Sequence, residues 1–468
     1  MGGMRHGRVT LHLWLAATAI GAAALAAGLF MTERAAERPL LAQVRKAFLP
    51  GATTSGHHQI ELACETCHTT AFGDADSMQA ACMGCHGDEL EAADDKHPLS
   101  KFTDPRNAEL LASLDATRCV ACHIEHRPEI TTAMAVTQPD DYCVLCHRDV
   151  GTERPSHAGL AFTTCASSGC HNFHDNRALY EDFLLRHAAA PAELPRQIRP
   201  LARFAETAAV LPTYPSDRYP LEPLGRAQHD APAEAATVEA IEGWLGTAHA
   251  RAGVNCGACH RDSATAAWIA APAVEACGTC HALESASFGQ GKHGMRGSAG
   301  LGPMTPAQAR LPMRLAAAET ALDCATCHGA HDFSVRRAAV DACLGCHADR
   351  HSLAYEDSPH AELWRREVAS DAPEGSGVSC ATCHMPRAEH RYPEYDFKTW
   401  FVQHNQNDTL RPSEKMIRPV CQSCHGLSFA LDALADAELV ERNFAGAPSV
   451  HVPSIDMAVA RERGAGTE

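Results

Sequence analysis

The longest apolar run of the chain comes first. Residues 11–31 are rich in Ala and Leu and hold no charged side chain, which is long enough for a helix to span a bilayer. Arg5 and Arg8 precede the run, so residues 1–10 are expected to stay cytoplasmic and the rest to be exported. A cleaved signal peptide is the competing reading, with Ala24, Leu25 and Ala26 as a cleavage box. Beyond it, apolar positions recur only over short stretches. Their spacing predicts longer helices at residues 178–187, 361–368 and 429–443, and no Val/Ile-rich alternation predicts a sheet. The expected fold class is mainly α with much irregular loop, plus one N-terminal transmembrane helix.

Composition changes this picture. The 468 residues carry a net charge of −17, only 6% aromatic residues, 22 Cys and 29 His. The acidic balance speaks against nucleic-acid binding, which needs a basic face. Every cysteine belongs to a pair, and a histidine follows each pair directly. Ten pairs have two residues between the thiols: Cys64, Cys67 and His68; Cys82, Cys85 and His86; Cys119, Cys122 and His123; Cys143, Cys146 and His147; Cys256, Cys259 and His260; Cys277, Cys280 and His281; Cys324, Cys327 and His328; Cys343, Cys346 and His347; Cys380, Cys383 and His384; Cys421, Cys424 and His425. The eleventh, Cys165, Cys170 and His171, has four.

Two thiols one helical turn apart can add to the two vinyl groups of one haem, and the adjacent imidazole then reaches the iron. Structural zinc usually takes two such cysteine pairs per metal and gives no reason for a histidine after each. Disulfides give none either. Eleven repeats without exception predict eleven covalently attached haem c groups, which also supply the core material that few aromatics provide. Haem attachment of this kind takes place outside the cytoplasm, so both readings of residues 11–31 put the haem-bearing part in the periplasm of a bacterium.

Further histidines can serve as second ligands and close each iron to six-coordination. The candidates are His57, His97, His126, His157, His174, His187, His249, His293, His331, His351, His360, His390 and His404. His126, His174 and His331 follow a proximal histidine by three residues, and His351 follows by four. On a helix such a pair shares one face. The second histidine therefore cannot reach the far side of its own iron and is expected at a neighbouring haem. His229 and His451 read as surface residues.

The cysteine-free stretch divides the chain. Residues 32–56 read as a linker, 57–187 as a pentahaem domain, 188–243 as a Pro/Ala-rich linker, 244–441 as a hexahaem domain and 442–468 as a tail.

Residues 56–187, including the stretched spacer between Cys165 and Cys170, resemble the class III multihaem cytochromes c. That resemblance implies packed haems with bis-histidine ligation. Residues 244–430 resemble the haem core of the pentahaem nitrite reductases and octahaem hydroxylamine oxidoreductases. Residues 378–386 (VSCATCHMP), His404, Asn405, Arg411, Pro412, residues 420–425 (VCQSCH), 324–331 (CATCHGAH), 343–351 (CLGCHADRH) and 288–294 (FGQGKHG) carry it.

The departures bear on function. His281 stands where the nitrite reductases commonly have a lysine, and residues 374–379 contain no histidine before Cys380. Tyr355 is displaced from the position of their active-site tyrosine, and no tyrosine follows His425. The expected function is therefore electron conduction along mostly bis-histidine haems, from a membrane or quinol-oxidising donor toward periplasmic or outer-membrane cytochromes. The alternative is an oxidoreductase acting on nitrite, hydroxylamine or a sulfur species. It needs an open iron at the motif of Cys277, Cys280 and His281, with Arg251, Lys292 or Arg296 beside the substrate. Catalytic residues are not assigned.

Overall fold

The computed structural model describes residues 45–465 apart from 71–72, 93–96, 98–101, 103, 106–107, 132–134, 155–156, 160–172, 175–180, 198–207, 209–213, 215, 217–218, 263 and 411–412; before residue 45 it describes only Thr18, Ala19 and Gly21. Of the expected anchor at residues 11–31 only Thr18, Ala19 and Gly21 are described. The whole stretched motif lies outside the described residues: Cys165, Cys170 and His171, expected to attach and ligate one haem, all fall within the undescribed segment 160–172. Among the described residues, no helix is long and apolar enough to cross a membrane.

Short helices and loops make up most of the chain, and the cysteine motifs themselves nucleate several of them. Cys64–Cys67, Cys119–Cys122, Cys256–His260, Cys324–His328 and Cys380–His384 are each about one turn long. The backbone N–H of His68, His123 and His347 donates to the carbonyl of the first cysteine four residues back at 2.8 Å. This closes one turn and sets both thiols and the imidazole on one face. Polar caps start the turns. The Asp323 carboxylate accepts from the Thr326 N–H at 2.7 Å, and the Ser379 hydroxyl accepts from the Thr382 N–H at 3.2 Å. Each answers an N–H that the helix leaves unpaired. Cys82 and Cys85 instead lie inside the 18-residue helix Ala75–Ala92.

The three predicted longer helices appear as Glu181–His187, Pro359–Val368 and a broken pair, Leu427–Ala435 and Ala437–Glu441. The break falls at Asp436, whose side chain caps the second helix by accepting from the Leu439 N–H at 3.0 Å.

Two expectations are corrected. A β-hairpin is present: Arg387–Tyr392 pairs antiparallel with Phe397–Val402, from Arg387 opposite Val402 to Tyr392 opposite Phe397. Its first strand is largely charged, so no apolar alternation marks it. Its pairing is instead supported across the strands by Glu389, which accepts from Lys398 at 3.1 Å. The end of the chain is also more than a tail, because Ser454–Ala465 forms a helix. Its Ile455 and Ala458 are buried with Leu184, Ile417, Leu427 and Leu431. One core thus joins the helix at residues 181–187 to the C-terminal helices, and each large aliphatic side chain in it contributes roughly 1.5–3 kcal/mol by leaving water.

The start of the described chain docks on the second half. His58 Nε2 meets the Gln308 carbonyl at 2.8 Å, Arg296 donates to the Gln59 carbonyl at 3.1 Å, and Lys415 pairs with Glu89 at 2.8 Å.

Candidate functional site

Folding brings the histidines together in pairs. Among the described residues, nine proximal imidazoles each face a second imidazole. His86 is met by His57 with ring centroids 5.9 Å apart, His123 by His174 at 6.3 Å, and His147 by His97 at 6.0 Å. In the second half His260 is met by His331 at 5.9 Å, His281 by His249 at 6.0 Å and His328 by His404 at 6.3 Å. His347 is met by His293 at 6.3 Å, His384 by His351 at 6.1 Å and His425 by His360 at 6.3 Å. A metal–imidazole bond is about 2 Å, so two such bonds plus the two ring radii place the centroids about 6 Å apart. The spacing leaves room for one metal ion between each pair, with a cysteine pair beside it.

The remaining ring nitrogens are used in a way that suits this. Nδ1 of His97 donates to the Phe173 carbonyl at 2.7 Å, that of His123 to Ala135 at 2.9 Å, and that of His260 to Ile269 at 2.7 Å. His351 donates likewise to Val440 at 2.5 Å, His404 to Val402 at 2.8 Å and His425 to Ala192 at 3.1 Å. An Nδ1–H held by a carbonyl fixes the tautomer whose Nε2 lone pair is free to ligate.

Burial keeps several of these rings neutral. It lowers His293, His328, His360 and His384 to about 4, and the facing or neighbouring imidazole adds to the effect. Neutral imidazole is the form that binds a metal. The residues present fit haem c at these nine positions.

The attachment thiols differ in their surroundings. Most of the described ones are partly covered, but Cys280 is exposed, as are Cys64, Cys85 and Cys146. The idea that haem fills core around every motif therefore does not extend to Cys280 and these three. A thioether is a covalent bond and holds its haem edge without a buried pocket around the sulphur, so exposure leaves the attachment role of Cys280 intact.

Three of the histidines that trail a proximal one reach other sites. His174 meets His123, His331 meets His260 and His351 meets His384. His126 bonds the Gly51 carbonyl through Nδ1 at 2.8 Å but faces no proximal imidazole among the described residues. His390 packs its ring on Tyr392 at 4.6 Å and Phe401 at 6.4 Å. His187 packs on Phe183 at 4.5 Å. His157 lies close enough to His147 to lower that ring's pKa, after burial, His97 and Arg154.

The residues expected beside an open iron are engaged elsewhere. Lys292 donates to the Ser55 carbonyl at 3.3 Å, Arg296 to Gly302 at 3.1 Å, and Arg251 to Gly246 at 2.9 Å. Tyr355 is 4% exposed and its hydroxyl donates to the Val378 carbonyl at 2.7 Å, a packing role.

Successive motifs also touch. The thiols of Cys82 and Cys119 share a hydrogen bond that lowers Cys119 to about 6, and Cys277 is lowered to about 7 by Cys324. Cys343 and Cys380 form the same kind of pair. At the other end of the motifs, burial raises Cys327 to about 11 with Cys343 and Cys346 adding to it, and raises Cys383 to about 12 with Cys421 and Cys424 adding. Burial also raises Cys67, Cys122 and Cys259; Cys85 adds to the first, Cys143 to the second, and Cys277 with Cys280 to the third. Thioether sulphurs do not titrate. What carries over to the loaded protein is proximity: each described motif lies against the next in chain order within residues 64–147 and within residues 256–425.

No curated protein and no solved structure matches the chain. Residues 56–148 match the family model of cytochrome c3. Together with the cysteine pairs, this match supports a multihaem electron-transfer cytochrome carrying covalently bound haem c.

Proposed function

We propose that the chain is a membrane-anchored periplasmic wire of eleven haem c groups, most of them closed by two histidines. The observation that carries this reading is the set of nine facing imidazole pairs. Haem c, when bound, supplies one-electron exchange at its iron. The two thiols and the following histidine of each motif would hold one group, the facing histidine would supply a second ligand and leave no place for substrate, and backbone carbonyls keep six of the paired rings in one tautomer. The chain-order contacts between motifs favour a linear path in each half, and the docking of residues 53–61 on the second half favours exchange between the halves.

In this reading residues 57–187 and 244–441 are the two haem-bearing domains, and Cys165, Cys170 and His171 hold one further group of the first domain. Residues 11–31 tether the chain to the inner membrane, near a quinol-oxidising donor, and the acidic surface steers basic periplasmic or outer-membrane redox partners. The nitrite reductase-like core of the second half serves conduction. His249 stands opposite His281, where the catalytic alternative needs an open position.

Intact-protein mass spectrometry tests the count: the mature chain should exceed its polypeptide mass by eleven haems. Carbon monoxide titration of the reduced protein tests closure. A mass increment of four haems would overturn the wire as described, as would carbon monoxide bound at the haem of Cys277 and Cys280.

A further inference from the structure

The nine pairs differ in what holds their outer nitrogens. Six histidines among them donate Nδ1–H to a backbone carbonyl, a neutral acceptor. The pair at Cys82 and Cys85 is different. His57 Nδ1 stands 2.6 Å from Glu125 Oε1, and His86 Nδ1 stands 3.4 Å from Glu89 Oε2. Among the described residues, no other facing pair has a carboxylate within hydrogen-bond reach of both rings. The nearest case, His347 and Asp349, is at 3.7 Å.

Glu125 is itself fixed. It accepts from the Thr54 N–H and the Thr54 hydroxyl, each at 2.7 Å. Glu89 is shared with Lys415 at 2.8 Å, which takes up part of its charge.

A carboxylate on Nδ1 draws the imidazole toward imidazolate and makes Nε2 a stronger donor. A stronger donor favours ferric over ferrous iron, and a carboxylate near the metal acts in the same sense by charge. We propose that Glu125 and Glu89 make the iron between His57 and His86 the most reducing of the nine described positions. This rests on the bis-histidine reading above and adds the setting of potential to it. The position lies inside the array, since Cys82 touches Cys119 and Cys67 feels Cys85. The highest-energy station of the first half is then its second attachment site rather than its end, and an electron placed there moves readily to either neighbour.

The test uses the full holoprotein and potentiometric titration followed by electron paramagnetic resonance. Glu125→Gln keeps an oxygen acceptor for the Thr54 hydroxyl and His57 but removes the charge and the acceptor of the Thr54 N–H. The most negative component should move positive by roughly tenfold in its reduction equilibrium constant, about 59 mV for one electron. Glu89→Gln should move it by less, because Lys415 already shares that charge, and the double variant by more than either. Glu129→Gln, which removes an exposed carboxylate paired with Arg127, should leave it in place. Full haem content with an unmoved most negative component in both single variants overturns the proposal, as does an equal shift in Glu129→Gln. If Glu125→Gln does not assemble, the exposed Glu89→Gln alone decides. Failure of the parent reading looks different: His57→Ala would then create no carbon monoxide-binding haem, whatever the potentials do.

Discussion

The imidazoles of His249 and His281 face each other with centroids 6.0 Å apart and planes at 85°. His281 ends the motif where a catalytic reading needs an open iron, so this pair is the place to test conduction against catalysis. Burial, and then His281, lower His249 to about 4, which leaves it neutral and able to ligate at neutral pH. His249→Ala should therefore create one new carbon monoxide-binding haem per molecule, seen as a carbon monoxide difference spectrum larger by one haem than that of the wild type. A variant spectrum identical to wild type would remove His249 from the iron.

His404 and His390 give a paired control. Both lie in or just after the hairpin, but only His404 faces a proximal ring, that of His328. His404→Ala should open one haem to carbon monoxide. His390→Ala should open none, because its ring rests on Tyr392 and Phe401.

The C-terminal core should be sensitive to a single truncation. Leu427 is 0% exposed and packs with Leu184 and Ile455. Leu427→Ala is expected to cost about 2–5 kcal/mol, measured as a lower melting temperature and earlier proteolysis of Ser454–Ala465. A melt within error of wild type would contradict the packing.

One pH dependence follows from His451. It bridges Asp432 at 3.3 Å and Asp456 at 2.8 Å, tying the helix Leu427–Ala435 to the helix Ser454–Ala465. Asp456, then Asp432, raise its pKa above the ordinary 6.5. A raised histidine stabilises the fold below its unfolded value and loses that contribution as pH rises through its folded value. Hydrogen exchange in Ser454–Ala465 should quicken across that rise, beyond the intrinsic base dependence. His451→Gln should abolish the excess.

The one-turn form of the cysteine motifs was legible because it is local: two thiols and an imidazole within one turn, with a cap such as Asp323 or Ser379 just before. How open each thiol stands was not legible, and the exposure of Cys280 beside the partly covered Cys277 depends on packing from outside the motif. The crossing of His331 to another site was legible, since three residues of chain cannot carry it to the far side of His328, although the helix Cys324–His328 ends at Gly329 and the two share no helical face. Which iron it crosses to was not. His404 meets His328 from 76 residues away, and only the packed chain brings such positions together. The hairpin escaped notice because residues 387–392 hold charges where a half-buried strand would alternate. The last helix escaped because its apolar residues, Ile455 and then Met457, Ala458, Val459 and Ala460, run almost consecutively and mark no single face. Glu125 was invisible as a partner of His57, lying 68 residues away.

Closed iron is the central claim, and carbon monoxide binding to the fully reduced holoprotein tests it most directly, with electron paramagnetic resonance of the oxidised form alongside. Nine of the eleven motifs have a facing imidazole; His68 faces none among the described residues, and His171 lies outside them. Carbon monoxide is expected to bind at most two haems per molecule, with low-spin signals dominant. Binding at three or more haems, with a matching high-spin signal, would contradict the closed array.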